Sequence, residues 1–114
     1  MRVLLIDGKR DASRVTRILL GRLGYEVATA SDAQAGLMLA DQFAPDVVCV
    51  DVGAPGTSGY EPIRHIREKP HLKSSRVIAI SGYPPDDGRT ANSGIDGYLI
   101  KPASLSQLVM AMHN

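Results

Sequence analysis

The chain has 114 residues, a hydrophobic fraction of 44%, a charged fraction of 22% and a formal net charge of +1 at pH 7. These values fit one globular domain, 1–114, long enough for a real core, and they exclude a membrane span, which needs ~18 consecutive apolar residues. Near-neutral charge, no Trp and one Phe argue against nucleic acid, which calls for a basic footprint and stacking aromatics.

The apolar stretch in MRVLLIDGK is too short for a secretory signal and is interrupted by a carboxylate, so a cytoplasmic location is expected. Cys49 sits inside an apolar run and reads as a small buried hydrophobe. His65, His71 and His113 lack zinc-like spacing and cysteine partners.

In chain order, apolar runs alternate with segments of helical period, the pattern of βα units around a parallel sheet. The first strand covers 2–7. The first helix covers 12–23, with Val15, Ile18, Leu19 and Leu23 on one face, Asp11 as a plausible cap and Gly24 as its stop. The second strand is 26–30, followed by a helix that starts after Ser31-Asp32 and ends near Phe43, before Pro45. The third strand is 46–51. A third helix over 60–68 follows the GAPGTSG loop and is stopped by Pro70. The fourth strand is 76–81. The segment 84–94, PPDDGRTANSG, is poor in helix formers and predicts a short or irregular fourth helix with elevated mobility. The fifth strand is 97–101. Ser104 caps a last helix with Leu105, Leu108, Val109 and Met112 facing inward. Five such units with right-handed crossovers are compatible with strand order 2-1-3-4-5 and helices on both faces.

Four runs end on reactive side chains: VLLI on Asp7, VVCV on Asp51, VIAI on Ser81 and YLI on Lys101. Parallel strands bring those ends to one edge, where open α/β sheets bind ligands. Two carboxylates favour a hard cation such as Mg²⁺, and a carboxylate can act as a nucleophile to form an acyl phosphate. Lys101 could neutralise one phosphoryl oxygen, and the Ser81 hydroxyl could bond another. An Asp at a strand end is often only a turn former, but four such residues in one pattern favour chemistry.

VLLIDGKRD, VVCVDVGAPGTSGYE, VIAISGY and GYLIKP resemble the motifs of the response-regulator receiver domain of two-component signalling, across essentially the whole chain. The resemblance implies a flavodoxin-like, doubly wound five-stranded parallel sheet. It implies that Asp51 is the phosphoacceptor, taking a phosphoryl group from the phosphohistidine of a histidine kinase or phosphotransfer domain. Asp7 and Asp51, with the backbone carbonyl of Gly53, match the Mg²⁺ ligands. Ser81 matches the switch hydroxyl, Tyr98 the aromatic switch residue and Lys101 the ion-pairing lysine, followed by a cis bond to Pro102. Such a module is not itself an enzyme, unless it is the receiver part of a hybrid histidine kinase. The face formed by the fourth expected helix, the fifth strand and the last helix would bind a partner or a second copy.

The chain departs from the family where a second acid normally follows the first: that position is Gly8. A weakened Mg²⁺ site is expected, with water in the vacant position. Lys9 is a candidate substitute for part of the cation. Gly8 also supports an alternative, a pseudo-receiver that binds proteins independently of phosphorylation. A flavodoxin-like cofactor binder is disfavoured, because the loop DGKRDAS offers one glycine and a carboxylate where phosphate donors are wanted.

Overall fold

The computed structural model describes residues 1–52, 60–85 and 94–113. Five parallel strands, β1 (Arg2–Ile6), β2 (Glu26–Ala30), β3 (Val47–Asp51), β4 (Arg76–Ser81) and β5 (Gly97–Ile100), form one sheet ordered β2-β1-β3-β4-β5. The described helices are α1 (Arg10–Arg22), α2 (Ala33–Phe43), α3 (Glu61–Glu68) and α4 (Leu105–His113), with a 3-10 turn at Pro70–Leu72. The doubly wound α/β architecture and its strand order are those expected from the sequence. Residues 86–93 of the expected fourth-helix segment, 84–94, and the Gly53 position, in 53–59, lie outside the described residues.

Side-chain alternation along the central strands divides the core in two. Leu4 and Ile6 of β1, Val48 and Val50 of β3, and Val77 and Ala79 of β4 meet α2 and α3 on one face. Val3, Leu5, Val47, Cys49 and Ile78 meet Leu20 of α1 and Leu108 and Met112 of α4 on the other. Because both faces are covered, these strands are continuous apolar runs rather than alternating ones. Gly36 lets α2 approach β1 closely, since a Cβ there would stand 2.5 Å from Ile6 Cδ1.

Caps set the helix ends. The Asp32 carboxylate accepts from Ala35 N–H at 2.8 Å at the start of α2. Ser104 and Gln107 form a reciprocal capping box on α4, with Gln107 N–H to Ser104 Oγ at 3.1 Å and Ser104 N–H to Gln107 Oε1 at 2.8 Å. Helix α1 ends in a Schellman arrangement, with Gly24 at φ 96° and Tyr25 N–H on Leu20 O. Asp11 is not the cap of α1. The helix starts at Arg10, and Asp11 lies in its first turn, where a carboxylate complements the helix dipole.

The apolar face of α1 points away from the sheet. Val15, Ile18, Leu19 and Leu23 are 57%, 50%, 37% and 57% exposed, while Leu20 is 0% exposed and Ser13 is buried. A single large apolar side chain anchors the helix, and its longer apolar stripe faces away from the sheet. Leu20→Ala should therefore cost about 2–4 kcal/mol of stability, and Leu19→Ala less than about 1 kcal/mol. Urea titration of both variants checks this, and equal losses would restore the original orientation.

Candidate functional site

The four strand ends lie along one edge of the sheet, and Asp7, Asp51 and Lys101 line one cavity there, whose lining does not include Ser81. Asp51 closes β3 and Ser81 closes β4, while Asp7 and Lys101 stand one residue beyond β1 and β5. Lys101 Nζ donates to Asp51 Oδ2 at 2.7 Å. The lysine backbone is itself fixed by its N–H on Ser81 O at 2.7 Å, and the Lys101–Pro102 bond is cis. Asp7 is held from the other side. Its N–H donates to Ala30 O at 3.0 Å, and its Oδ1 accepts from Lys9 N–H at 2.8 Å. Asp7, Lys9, Thr16, Asp51 and Lys101 line one cavity of about 550 Å³ that runs inward to Cys49 and Leu108.

Electrostatics at this edge are unbalanced. Burial pushes the Asp7 carboxyl above its ordinary range, the Lys9 N–H opposes that shift, and the adjacent Asp51 adds to it. Two carboxylates with one directly paired ammonium suit a divalent cation, because Mg²⁺ binds through one or two carboxylates and keeps several waters. The donor set therefore fits Mg²⁺ through Asp7 and Asp51. It is a sparse set: among the described residues no cluster of three or more His, Cys, Asp or Glu side chains surrounds a metal position. Gly8 is the reason. A Cβ at this position would have Ser31 O as its nearest neighbour at 3.8 Å, and its φ is outside the left-handed region. Neither space nor backbone geometry requires glycine there.

Ser81 is fully buried, and its Oγ accepts from Tyr83 N–H at 3.1 Å. The hydroxyl of half-buried Tyr98 donates to Tyr83 O at 2.7 Å. The peptide groups of Tyr83 thus link the hydroxyl at the site to the aromatic ring on β5. No residue identity marks this link, since on the Tyr83 side it uses only backbone atoms. Cys49, at the floor of the cavity, is buried, and burial pushes its thiol up to about 12, which keeps it protonated and unreactive.

The chain belongs to the response regulator receiver domain family, whose profile matches residues 3–113. It is a receiver domain of two-component signalling with the fold of that family. It is 30% identical over 109 residues to the transcriptional regulatory protein TrcR of Mycobacterium tuberculosis, covering 96% of this chain and 42% of TrcR. The chain therefore spans less than half of that relative. A Burkholderia pseudomallei response regulator, solved with a phosphorylated aspartic acid, calcium ion and citrate, superposes with TM-score 0.86 at 25% identity, covering 97% of this chain and 65% of the other. TrrA of Thermotoga maritima, solved with Mg²⁺-BeF, gives TM-score 0.78 at 27% identity, covering 96% and 93%. Among the described residues no helix is long and apolar enough to cross a membrane.

Proposed function

We propose that this chain is a single phosphoacceptor module, 1–114, phosphorylated on Asp51 by a histidine kinase or phosphotransfer partner in the cytoplasm. The observation that carries this reading is the 2.7 Å contact of Lys101 with Asp51 beside Asp7, at the mouth of an open cavity. An Asp51 oxygen attacks phosphorus, and the bond from phosphorus to the donor imidazole breaks as the new one forms. Lys101 meets the charge on a phosphoryl oxygen. Bound Mg²⁺ would neutralise further phosphoryl charge. Asp7 and Asp51 would hold it, with the Gly53 carbonyl as the third protein ligand and Lys9 contributing positive charge where an acid is missing.

Ser81 moving toward the phosphoryl group draws on the Tyr83 N–H and so disturbs the Tyr98 contact. This shifts the population between two packings of the β5–α4 side, the face through which a partner or second copy would bind. The phosphodonor itself approaches over α1. Ala12 and Thr16 of that helix line the cavity, and the exposed Val15, Ile18 and Leu19 offer a helix-packing ridge beside it.

Incubation with acetyl phosphate and Mg²⁺ tests the reading. Wild type should gain one acid-stable, base-labile phosphoryl group, and Asp51→Asn none. Gly8 favours a second reading, the pseudo-receiver. An unmodified wild type that becomes phosphorylated after Gly8→Asp would establish it.

A further inference from the structure

The cavity at the site is larger than phosphoryl chemistry needs. It holds about 550 Å³, and Asp7, Asp51 and Lys101 stand only at its mouth. Behind them Leu5, Ile80, Leu99 and Leu108 form its walls, with Cys49 as its floor. The chamber follows from the side chains of α1. Ala12, Ser13 and Thr16 of that helix line the cavity, while Val15, Ile18 and Leu19 are exposed. No large apolar side chain of α1 lines the space. Protein interiors are close-packed and seldom keep voids larger than a water molecule. Pockets of ~300–1,000 Å³ with apolar walls and a few polar groups take small organic ligands.

We infer that this cavity binds a small amphipathic amine, with the ammonium held by Asp7 and Asp51 and the apolar body in the chamber against Cys49 and Leu108. Asp51 gives one carboxylate oxygen to Lys101 Nζ at 2.7 Å, and Asp7 gives one to Lys9 N–H at 2.8 Å. Each carboxylate has a second oxygen, and an ammonium brings three donors and no acceptor. An anionic head would instead face Asp7 and compete with Asp51 for Lys101. Lys9 also lines the mouth, but it is exposed, and its long stem lets its charge stay in water. A hydrated Mg²⁺ satisfies the same carboxylates and leaves the apolar walls bare, so the chamber favours an organic cation. The amine and the metal exclude each other. Binding itself needs no phosphorylation. Its consequence, an occupied site closed to a phosphoryl group, rests on the phosphoacceptor reading of Asp51.

The test titrates n-hexylamine into the ¹³C-methyl-labelled chain without Mg²⁺. The amine should shift the methyl signals of Leu5, Leu99 and Leu108. It should bind about tenfold or more tightly than methylamine, 1-hexanol or hexanoate. From propylamine to hexylamine, each added CH₂ should tighten binding by up to about fourfold. Saturating Mg²⁺ should displace the amine, and Asp7→Asn should weaken its binding by about tenfold. Methylamine binding as tightly as hexylamine would reduce the cavity to a plain cation site and overturn the proposal. Equal affinity for hexanol or hexanoate, indifference to Mg²⁺ or to Asp7→Asn, methyl shifts outside the chamber, or no binding at millimolar amine would each do the same. Acetyl phosphate labelling of Asp51 in Mg²⁺ should fall as amine is added, and labelling undiminished at saturating amine would also overturn it. A wild type that is never labelled, yet binds hexylamine in the chamber, would remove the phosphoacceptor reading and leave the amine site standing.

Discussion

Lys101→Ala is expected to slow phosphoryl transfer to Asp51 by about 100-fold or more, the scale seen when one pre-positioned group facing developing charge is removed. Lys101 Nζ is already 2.7 Å from Asp51 Oδ2, so the ammonium needs little reorganisation to meet a phosphoryl oxygen bonded to that carboxylate. Its backbone is pinned to Ser81 O, which removes much of the freedom a lysine usually retains. The same variant should alter stability little. The two side chains retain 33% and 21% of their exposure, and water screens such a pair to about 1 kcal/mol or less. Removing the ammonium also leaves Asp7 and Asp51 facing each other with no paired cation, which opposes ionisation of Asp7 further. Initial rates with acetyl phosphate at saturating Mg²⁺, beside a urea titration, separate the two effects. A rate within about threefold of wild type would show that Lys101 is structural.

The fold and the convergence of the four strand ends were legible because they rest on short-range patterns. Two-sided burial makes the central strands continuous apolar runs, and strand parity then assigns Val3 and Leu5 to one layer and Leu4 and Ile6 to the other. The orientation of α1 was not legible. Its apolar spacing marks a stripe, but the stripe's direction depends on what else covers the sheet, and Leu20 alone was sufficient to anchor the helix. The Tyr83 link was illegible for a different reason. Hydrogen bonds made by a peptide group leave no trace in the identity of the side chain. Gln107, by contrast, was readable in principle, because S-x-x-Q at 104–107 is a capping-box spacing.

Gly8→Asp should act in opposite directions depending on Mg²⁺. Without the metal, a third carboxylate would join Asp7, which burial already holds above its ordinary range, and the adjacent Asp51. Like charges at that spacing disfavour ionisation and should cost on the order of 1 kcal/mol. The new Cβ itself meets no clash, since Ser31 O lies 3.8 Å away. With Mg²⁺ present, the added carboxylate replaces water or improves its positioning around the ion, a charged interaction of about 1.5–3 kcal/mol, which corresponds to about 10–100-fold in affinity. A ligand that binds only the folded state stabilises it by RT ln(1 + [L]/Kd), so the tighter site should more than recover the loss at millimolar Mg²⁺. The melting curves of wild type and variant should therefore cross: variant below wild type in EDTA and above it in Mg²⁺. Calorimetric titration supplies the affinity ratio directly. Unchanged Mg²⁺ affinity would mean that position 8 does not reach the ion, and the sparse acidic set would then not explain a weak site. A crossing accompanied by faster labelling of Asp51 would place the chain as a working phosphoacceptor whose metal half is limited by one missing side chain.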